Sequence, residues 1–136
     1  MAGRWLLKTE PGSYSYAQLE RDGRTVWDGV KNALALKHLA AMAKGDEVLV
    51  YHTGDEKAVI GLARVVRGAY PDPKAGDPRM TVVDLEPARA LPRPVTLSEL
   101  RANGKLAGFA LLRLPRLSVM PVSAAHWAEI LRVAKE

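Results

Sequence analysis

The chain has 136 residues and a mass of 14.8 kDa, a size typical of one globular domain, so a single domain over residues 1–136 is predicted. Twenty Lys and Arg against 15 Asp and Glu give a net charge of +5, which favours anionic partners. The absence of cysteine excludes disulfides, thiolate metal sites and cysteine nucleophiles. No apolar run reaches the roughly 20 residues of a membrane span or forms a secretory signal, so a cytoplasmic protein without a membrane partner is expected.

The N-terminal segment predicts a strand followed by a short helix. Arg4 to Lys8 is a short apolar strand, and the turn residues Glu10 to Gly12 end it. Ser15 and Gln18 have the spacing of a capping box, which predicts a helix over Tyr16 to Asp22.

A brief extended segment, Thr25 to Trp27, precedes the second predicted helix. Asn32 is expected to cap this helix, and Lys44 with Gly45 to end it. Its apolar stripe should face the core and consists of Leu34, Leu36, Leu39, Ala40 and Ala43.

The middle of the chain has the pattern of a β-hairpin. The apolar run Val48 to Tyr51 and the segment Ala58 to Val66 flank the turn residues Thr53 to Asp55. Tyr70 to Pro78 is rich in Pro, Gly and Asp, and is predicted as a surface loop before a strand over Met80 to Leu85.

The C-terminal third predicts two capped helices around one strand. Thr96 with Glu99 repeats the capping-box spacing, Leu117 to Met120 is a strand, and Ser123 caps a terminal helix. In that helix Trp127, Ile130 and Leu131 should face the core, and Glu129, Arg132 and Lys135 should face water. Because hairpins replace a regular βαβ order, the sequence predicts an α+β fold, a small mixed barrel flanked by helices.

The motifs of common catalytic and metal sites are missing. The sequence has no phosphate-binding glycine loop and no Ser in a G-x-S-x-G elbow. His38, His52 and His126 lie far apart and lack metal-ligand spacing. We therefore expect a non-catalytic protein with no metal and no cofactor.

Four short segments place polar or aromatic groups beside predicted strand ends, where binding sites tend to form. They are Trp5 to Pro11, Trp27 to Asn32, Val50 to Thr53, and Pro115 to Val119. An aromatic ring beside an amide, as at Trp27 and Asn32, can stack on a nucleobase and bond its edge. Lys31 lies just before a predicted helix N-terminus, a position that suits a phosphate.

These segments also carry a resemblance to the EVE domain family of the PUA-like superfamily, which is related to the YTH readers of methylated adenosine. The similar strings occur in the family's order over nearly the whole chain: Trp5-Leu-Leu-Lys-Thr-Glu-Pro, Trp27-Asp-Gly-Val-Lys-Asn, Gly45-Asp, Tyr51-His-Thr, Gly61-Leu-Ala, Tyr70-Pro-Asp, Val83-Asp and Arg116-Leu-Ser-Val-Met-Pro-Val.

The resemblance implies a PUA-like pseudo-barrel of about six strands with a pocket for a modified base, such as 5-methylcytosine, and no catalysis. It implies that Trp27 is a cage residue and that Asn32 contacts the ligand. Lys8 and Thr9 would border the pocket, and Tyr51 and His52 would add to its wall. By analogy with fused family members, it also implies a nuclease or helicase partner.

The complete sequence-based hypothesis is a reader of a modified base, most simply a 5-substituted cytosine in DNA, that takes the base from the stack. Trp27 would stack, and Asn32 would read the base edge. The phosphate contacts would be Lys31, Arg116 and Ser118, with Lys8 beside them. Met80 departs from the family pattern, which usually has tryptophan there.

Structural interpretations of the same residues remain open. Asn32 could act only as a helix cap, His52 only as a buried core histidine, and Arg116 with Ser118 only as a solvated edge strand. Two other functions also remain open: binding of modified RNA, and a small hydrolase that uses His52. A protein-interaction module or small-ligand binder is a further alternative.

Overall fold

A computed structural model describes residues 3–135, so Met1, Ala2 and Glu136 of the predicted domain lie outside the described residues. These residues form six strands: β1 (Arg4–Thr9), β2 (Thr25–Trp27), β3 (Glu47–His52), β4 (Ala58–Pro71), β5 (Thr81–Thr96) and β6 (Val119–Pro121). The same residues form five α-helices: α1 (Tyr16–Asp22), α2 (Ala33–Ala40), α3 (Leu97–Ala102), α4 (Ala110–Arg113) and α5 (Ala124–Val133). A 3-10 turn covers Gly104–Leu106.

The strands form one mixed sheet in the order β2-β5-β4-β3-β1-β6. β1 and β3 are parallel, and the other neighbours are antiparallel. Helix α2 packs against β6 at one edge and also against β5, which neighbours the other edge. One short helix can contact both sides only if the sheet curls around it. The curled sheet confirms the predicted α+β class and the mixed pseudo-barrel of about six strands flanked by helices.

The predicted N-terminal helix caps are confirmed, but the predicted end of the second helix at Lys44 and Gly45 is wrong, because α2 ends at Ala40. Ser15 and Thr96 each form a complete capping box, with Gln18 and Glu99 as the partners. Asn32 accepts a hydrogen bond from the backbone of Ala35, and Ser123 caps α5 in the same way. Each of these side chains satisfies a backbone N–H that has no partner within the helix, which fixes where the helix begins.

The predicted proline-rich loop is wrong at its start, because β4 continues through Tyr70 to Pro71. The following strand is also much longer than predicted, and β5 runs through Pro87 to Thr96. The pairing of β4 with β5 shifts register beside Pro87, and β2 covers β5 only at residues 83–85. Proline has no backbone N–H to donate to a neighbouring strand. It is tolerated in β5 because residues at a bulge or on an uncovered strand edge do not need that donor.

Four predictions of side-chain orientation are wrong: Glu129 is buried, and Leu34, Ala40 and Ala43 are exposed. Glu129, expected to face water, is only 8% exposed because Asn103 and Arg132 donate hydrogen bonds to its carboxylate. Leu34, expected to face the core, is 42% exposed. Helix α2 ends at Ala40 and buries one face through Ala35 and Leu39, four positions apart, which turns Leu34 to the outside.

Within residues 3–135, no helix combines the length and the apolar character that crossing a membrane requires.

Candidate binding site

A cavity of about 640 Å³ lies where the two edges of the curled sheet approach each other. Trp27, at the end of β2, lines it from one edge. Lys8 and Thr9 at the end of β1, and Ser118 just before β6, line it from the other. The volume is within the roughly 300–1,000 Å³ typical of pockets for small ligands. The curl of the sheet therefore produces the site.

The turn after β1 carries Tyr14 into the wall of the cavity. Thr9 Oγ1 donates a 2.6 Å hydrogen bond to the carbonyl of Tyr14, and the Tyr14 N–H donates to the carbonyl of Glu10. The Tyr14 ring meets the indole of Trp27 edge to face, with centroids 6.2 Å apart and an angle of 84°. Trp27 is 8% exposed, so its ring is held firmly in the wall.

Tyr14 is the aromatic wall residue that sequence reasoning missed. Its hydroxyl donates a 2.8 Å hydrogen bond to Asp22 at the end of α1. Burial, together with the nearby Asp22 carboxylate, raises the pKa of the Tyr14 phenol, so the hydroxyl stays protonated near neutral pH. The one feature of the sequence that could have indicated this role is the position of Tyr14 between the turn after β1 and Ser15, the cap of α1.

Lys8 connects β1 to the segment before β6. Its backbone N–H donates to the carbonyl of Ser118 at 2.9 Å, and its ammonium donates to the carbonyl of Pro115 at 2.7 Å. The ammonium also lies 5.9 Å from the centre of the Tyr51 ring, within cation–π range. Burial lowers the pKa of Lys8. Lys8 thus adds a half-buried cation to the lining of the cavity.

The rest of the lining mixes three kinds of group. Carboxylates come from Glu10 and Asp28, and an exposed ammonium comes from Lys31. Val26 and Val30 supply apolar contacts. The remaining side-chain hydroxyls are Ser13, Thr25 and Ser118. Such a surface can stack a planar ring, accept hydrogen bonds from an amino group and contact a methyl group.

The structure brings five of the nine predicted site residues to this cavity: Lys8, Thr9, Trp27, Lys31 and Ser118. Asn32 and Arg116 line a neighbouring groove, and Asn32 also caps α2. Tyr51 lies behind Lys8 and is buried. The ligand contacts predicted for Asn32, Arg116 and Tyr51 stay predictions.

His52 lies away from the cavity, beneath the start of α1, and is 6% exposed. Its Nε2 accepts a 3.0 Å hydrogen bond from the backbone N–H of Tyr16, so the ring proton lies on Nδ1. Nδ1 then donates to Glu56 at 2.6 Å. Both ring nitrogens are therefore engaged, and the geometry gives His52 a role in holding α1 on the sheet.

Met80, where the family usually has tryptophan, lines a second cavity of about 560 Å³. Residues 28–31 form a wall common to both cavities. Met80 therefore shares the second cavity with Asp28 and Lys31, and it is not among the residues that line the cavity of Trp27.

Comparison with known proteins identifies the class. The EVE domain model matches residues 3–133, so the chain belongs to the EVE domain family, as the resemblance indicated. Human thymocyte nuclear protein 1 is 28% identical over 170 aligned residues, which cover 100% of this chain and 76% of that protein.

Solved structures share the whole fold. A hypothetical protein from Leishmania major has a TM-score of 0.93 and 38% identity, covering 99% of this chain and 96% of its own. The human THYN1 protein in complex with DNA containing 5-methylcytosine has a TM-score of 0.91 and 27% identity, covering 99% of both chains. The predicted PUA-like fold is thereby confirmed.

Proposed function

We propose that this chain is a non-catalytic nucleic-acid reader that holds a modified base, 5-methylcytosine or a related 5-substituted cytosine of DNA, in the cavity of Trp27. The observation that carries the proposal is the Trp27–Tyr14 pair in a cavity of about 640 Å³ that also contains carboxylates and cations. The human THYN1 structure with 5-methylcytosine DNA, similar over 99% of the chain, supports the same ligand class.

The cavity lining matches the groups of a 5-methylated cytosine. An indole offers a stacking surface, worth about 1–3 kcal/mol per base in nucleic-acid complexes. The 4-amino group of cytosine is a donor that carboxylates accept, and Glu10 and Asp28 supply carboxylates here. Val26 and Val30 can contact the 5-methyl group, as apolar side chains contact the methyl of thymine.

Cations at the rim suit the phosphates on either side of the base. Lys31 lies on the cavity wall, and Arg116 lies on the neighbouring groove. Neither side chain forms an ion pair within residues 3–135, so both charges are available to a ligand. Phosphate contacts of this kind make binding salt-dependent.

The position of Trp27 supports a binding step in which the base leaves the stack. Its indole is 8% exposed and belongs to the cavity wall, so a base that is paired within a duplex cannot reach it. Proteins that bind or modify single bases pay a few kcal/mol to extrude them. We expect the same step here.

A titration with dye-labelled oligonucleotides tests the proposal. Single- and double-stranded DNA carrying cytosine, 5-methylcytosine or 5-hydroxymethylcytosine are compared by fluorescence anisotropy at two salt concentrations, with wild type and Trp27→Ala. Preference for a 5-substituted base that disappears in Trp27→Ala supports the proposal. Equal affinity for all three bases contradicts it and indicates a general backbone binder.

Two further arms separate the alternatives. Matched RNA carrying 5-methylcytosine is included, and tighter binding to RNA than to DNA would move the proposal to an RNA ligand. In the duplex, 2-aminopurine next to the modified base reports unstacking, because its fluorescence rises when the neighbouring base leaves the helix. A pull-down that returns neither a nuclease nor a helicase would contradict the predicted partners.

A further inference from the structure

An apolar groove of about 340 Å³, formed by Leu34, Leu114, Pro115 and Leu117 with Asn32, Arg113 and Arg116, lies outside the cavity of Trp27. Leu34 and Leu114 are 42% and 40% exposed. Within residues 3–135 they are two of the three exposed large hydrophobic side chains, and the third, Val26, lines the cavity itself. Exposed apolar surface of this part of the chain is therefore concentrated around the proposed site.

The apolar groove is continuous with the cavity. Lys31 lines the cavity and its neighbour Asn32 lines the groove. On the opposite side, Ser118 lines the cavity and Arg116 lines the groove. Lys8, in the cavity, donates to the carbonyl of Pro115, in the groove, at 2.7 Å. The same two backbone segments therefore form the rim that both share.

The charges around the apolar groove are positive. Arg113 donates through Nε to the carbonyl of Gly108, and neither Arg113 nor Arg116 has a carboxylate partner within residues 3–135. Two guanidinium groups without a carboxylate partner, beside aliphatic side chains, match a nucleotide, which has an anionic phosphate and an apolar base face.

We propose that the apolar groove is a subsite for the nucleotide adjacent to the base held by Trp27. The adjacent base packs on Leu34 and Leu114, and Arg113 and Arg116 contact its phosphates. This subsite rests on the proposed function. A captured nucleotide remains joined to its neighbours, so the strand must cross the cavity rim, and the groove adjoins that rim. A groove of about 340 Å³ is at the lower end of the roughly 300–1,000 Å³ of small-ligand pockets, which suits a single nucleotide.

The test compares four ligands. Three are nonamers measured by anisotropy: one with a central 5-methylcytosine, and two that also carry an abasic residue, either 5′ or 3′ of that base. The fourth is 5-methyl-dCMP alone, measured by ligand-observed NMR. The variants are Leu114→Ser, Leu34→Ser, Arg116→Ala and Trp27→Ala. Lys135→Ala, an exposed cation after α5, controls for loss of charge. Because Leu34 and Leu114 are exposed, their substitution should leave folding intact, which a melting curve verifies.

For wild type, we expect the abasic residue on one side to weaken binding by about five- to tenfold. Leu114→Ser should lower the affinity for the intact nonamer by a similar factor, and an abasic residue should then cause no further loss. The affinity of this variant for 5-methyl-dCMP should equal that of wild type. Arg116→Ala should reduce the slope of log affinity against log salt by about 1, and Lys135→Ala should not.

If Leu114→Ser binds the intact nonamer as tightly as wild type does, the subsite proposal is overturned. The proposed function survives that result if Trp27→Ala abolishes binding. If wild type binds no nonamer, or binds it independently of Trp27, the proposed function itself fails. If Leu114→Ser retains DNA affinity but loses binding of an acidic leucine-containing peptide, the groove is a protein-docking site and the proposal is overturned.

Discussion

Trp27 and Tyr14 meet edge to face across the wall of the cavity, with ring centroids 6.2 Å apart and planes at 84°. Trp27 ends β2, and Tyr14 lies in the turn after β1, so the pair joins elements that are not neighbours in the sheet. An edge-to-face contact is worth about 0.5–1.5 kcal/mol beyond its buried area. Tyr14 therefore fixes the plane against which a ligand can stack.

Tyr14→Ala should lower the affinity for a 5-methylcytosine oligonucleotide by about three- to tenfold, because the indole loses its support. Tyr14→Phe keeps the ring and loses only the hydrogen bonds of the hydroxyl, with Asp22 and Thr25, so its affinity should stay close to wild type. Anisotropy titrations of the three proteins measure the difference. Equal affinities for Tyr14→Ala and wild type would show that Trp27 needs no such support.

Gly61→Ala should destabilise the fold. The ring of Tyr16 covers Gly61, and an added Cβ would lie 2.5 Å from the Tyr16 Cζ atom. Tyr16 is fully packed and donates a 2.6 Å hydrogen bond to the carbonyl of Leu62, so it has no room to move. Overpacking of this kind costs about 1–3 kcal/mol.

The matched control for this substitution is Gly104→Ala, where an added Cβ meets nothing within 4 Å. Gly104 lacks a positive φ, so the change should be neutral or slightly stabilising. Urea denaturation of both variants measures the free energies of unfolding. A Gly61→Ala protein as stable as Gly104→Ala would contradict the close packing of Tyr16.

Local signals in the sequence predicted the helix starts correctly. Ser15, Asn32, Thr96 and Ser123 all cap helices, because a cap depends on groups only two or three positions away. The aromatic and cationic side of the cavity was also predicted in part, since Trp27, Lys8 and Thr9 stand at strand ends that the sheet brings together.

Features that depend on distant partners were not predicted. Tyr14 became a wall residue only because the curl of the sheet places it against Trp27. The sequence predicts Glu129 at the surface, but Asn103, which lies on the turn after α3, donates a hydrogen bond to its buried carboxylate. The length of β5 was not predicted, because a proline disfavours the interior of a paired strand and only the bulges and the uncovered edge of the folded sheet accommodate one.

His52→Ala should destabilise the protein by about 1–3 kcal/mol, because it leaves the buried N–H of Tyr16 without an acceptor. Glu56→Ala removes the other, more exposed partner of the ring and should cost less, about 0–1 kcal/mol. Thermal melts measure both. Binding and turnover are then measured under conditions where His52→Ala is folded. Loss of nucleic-acid affinity with unchanged stability would support the predicted ligand contact of His52. Loss of a hydrolytic turnover would support the enzyme alternative.

Stability should fall in acid through Glu129. Hydrogen bonds from Arg132 and Asn103 lower its pKa from 4.5 to about 2, although desolvation of the carboxylate opposes the shift. Because the pKa is lower in the folded protein than in the unfolded chain, the unfolded state binds the proton first as pH falls. The contribution of Glu129 is therefore complete above about pH 4.5 and is lost progressively towards pH 2.

Glu129→Gln should make stability less dependent on pH between 4.5 and 2, because the variant has no carboxylate to titrate there. The side chain keeps one oxygen for Asn103 but loses the charge that holds Arg132, so stability at pH 7 should be lower than in wild type.

Glu20→Gln, at an exposed position on α1, is the matched control and should retain the wild-type acid profile. Urea midpoints from pH 2 to 7 measure the effect. Parallel profiles for wild type and Glu129→Gln would show that the fall in stability comes from other carboxylates, of which Glu99, with a pKa lowered to about 2 mainly by Arg93, is the next to substitute.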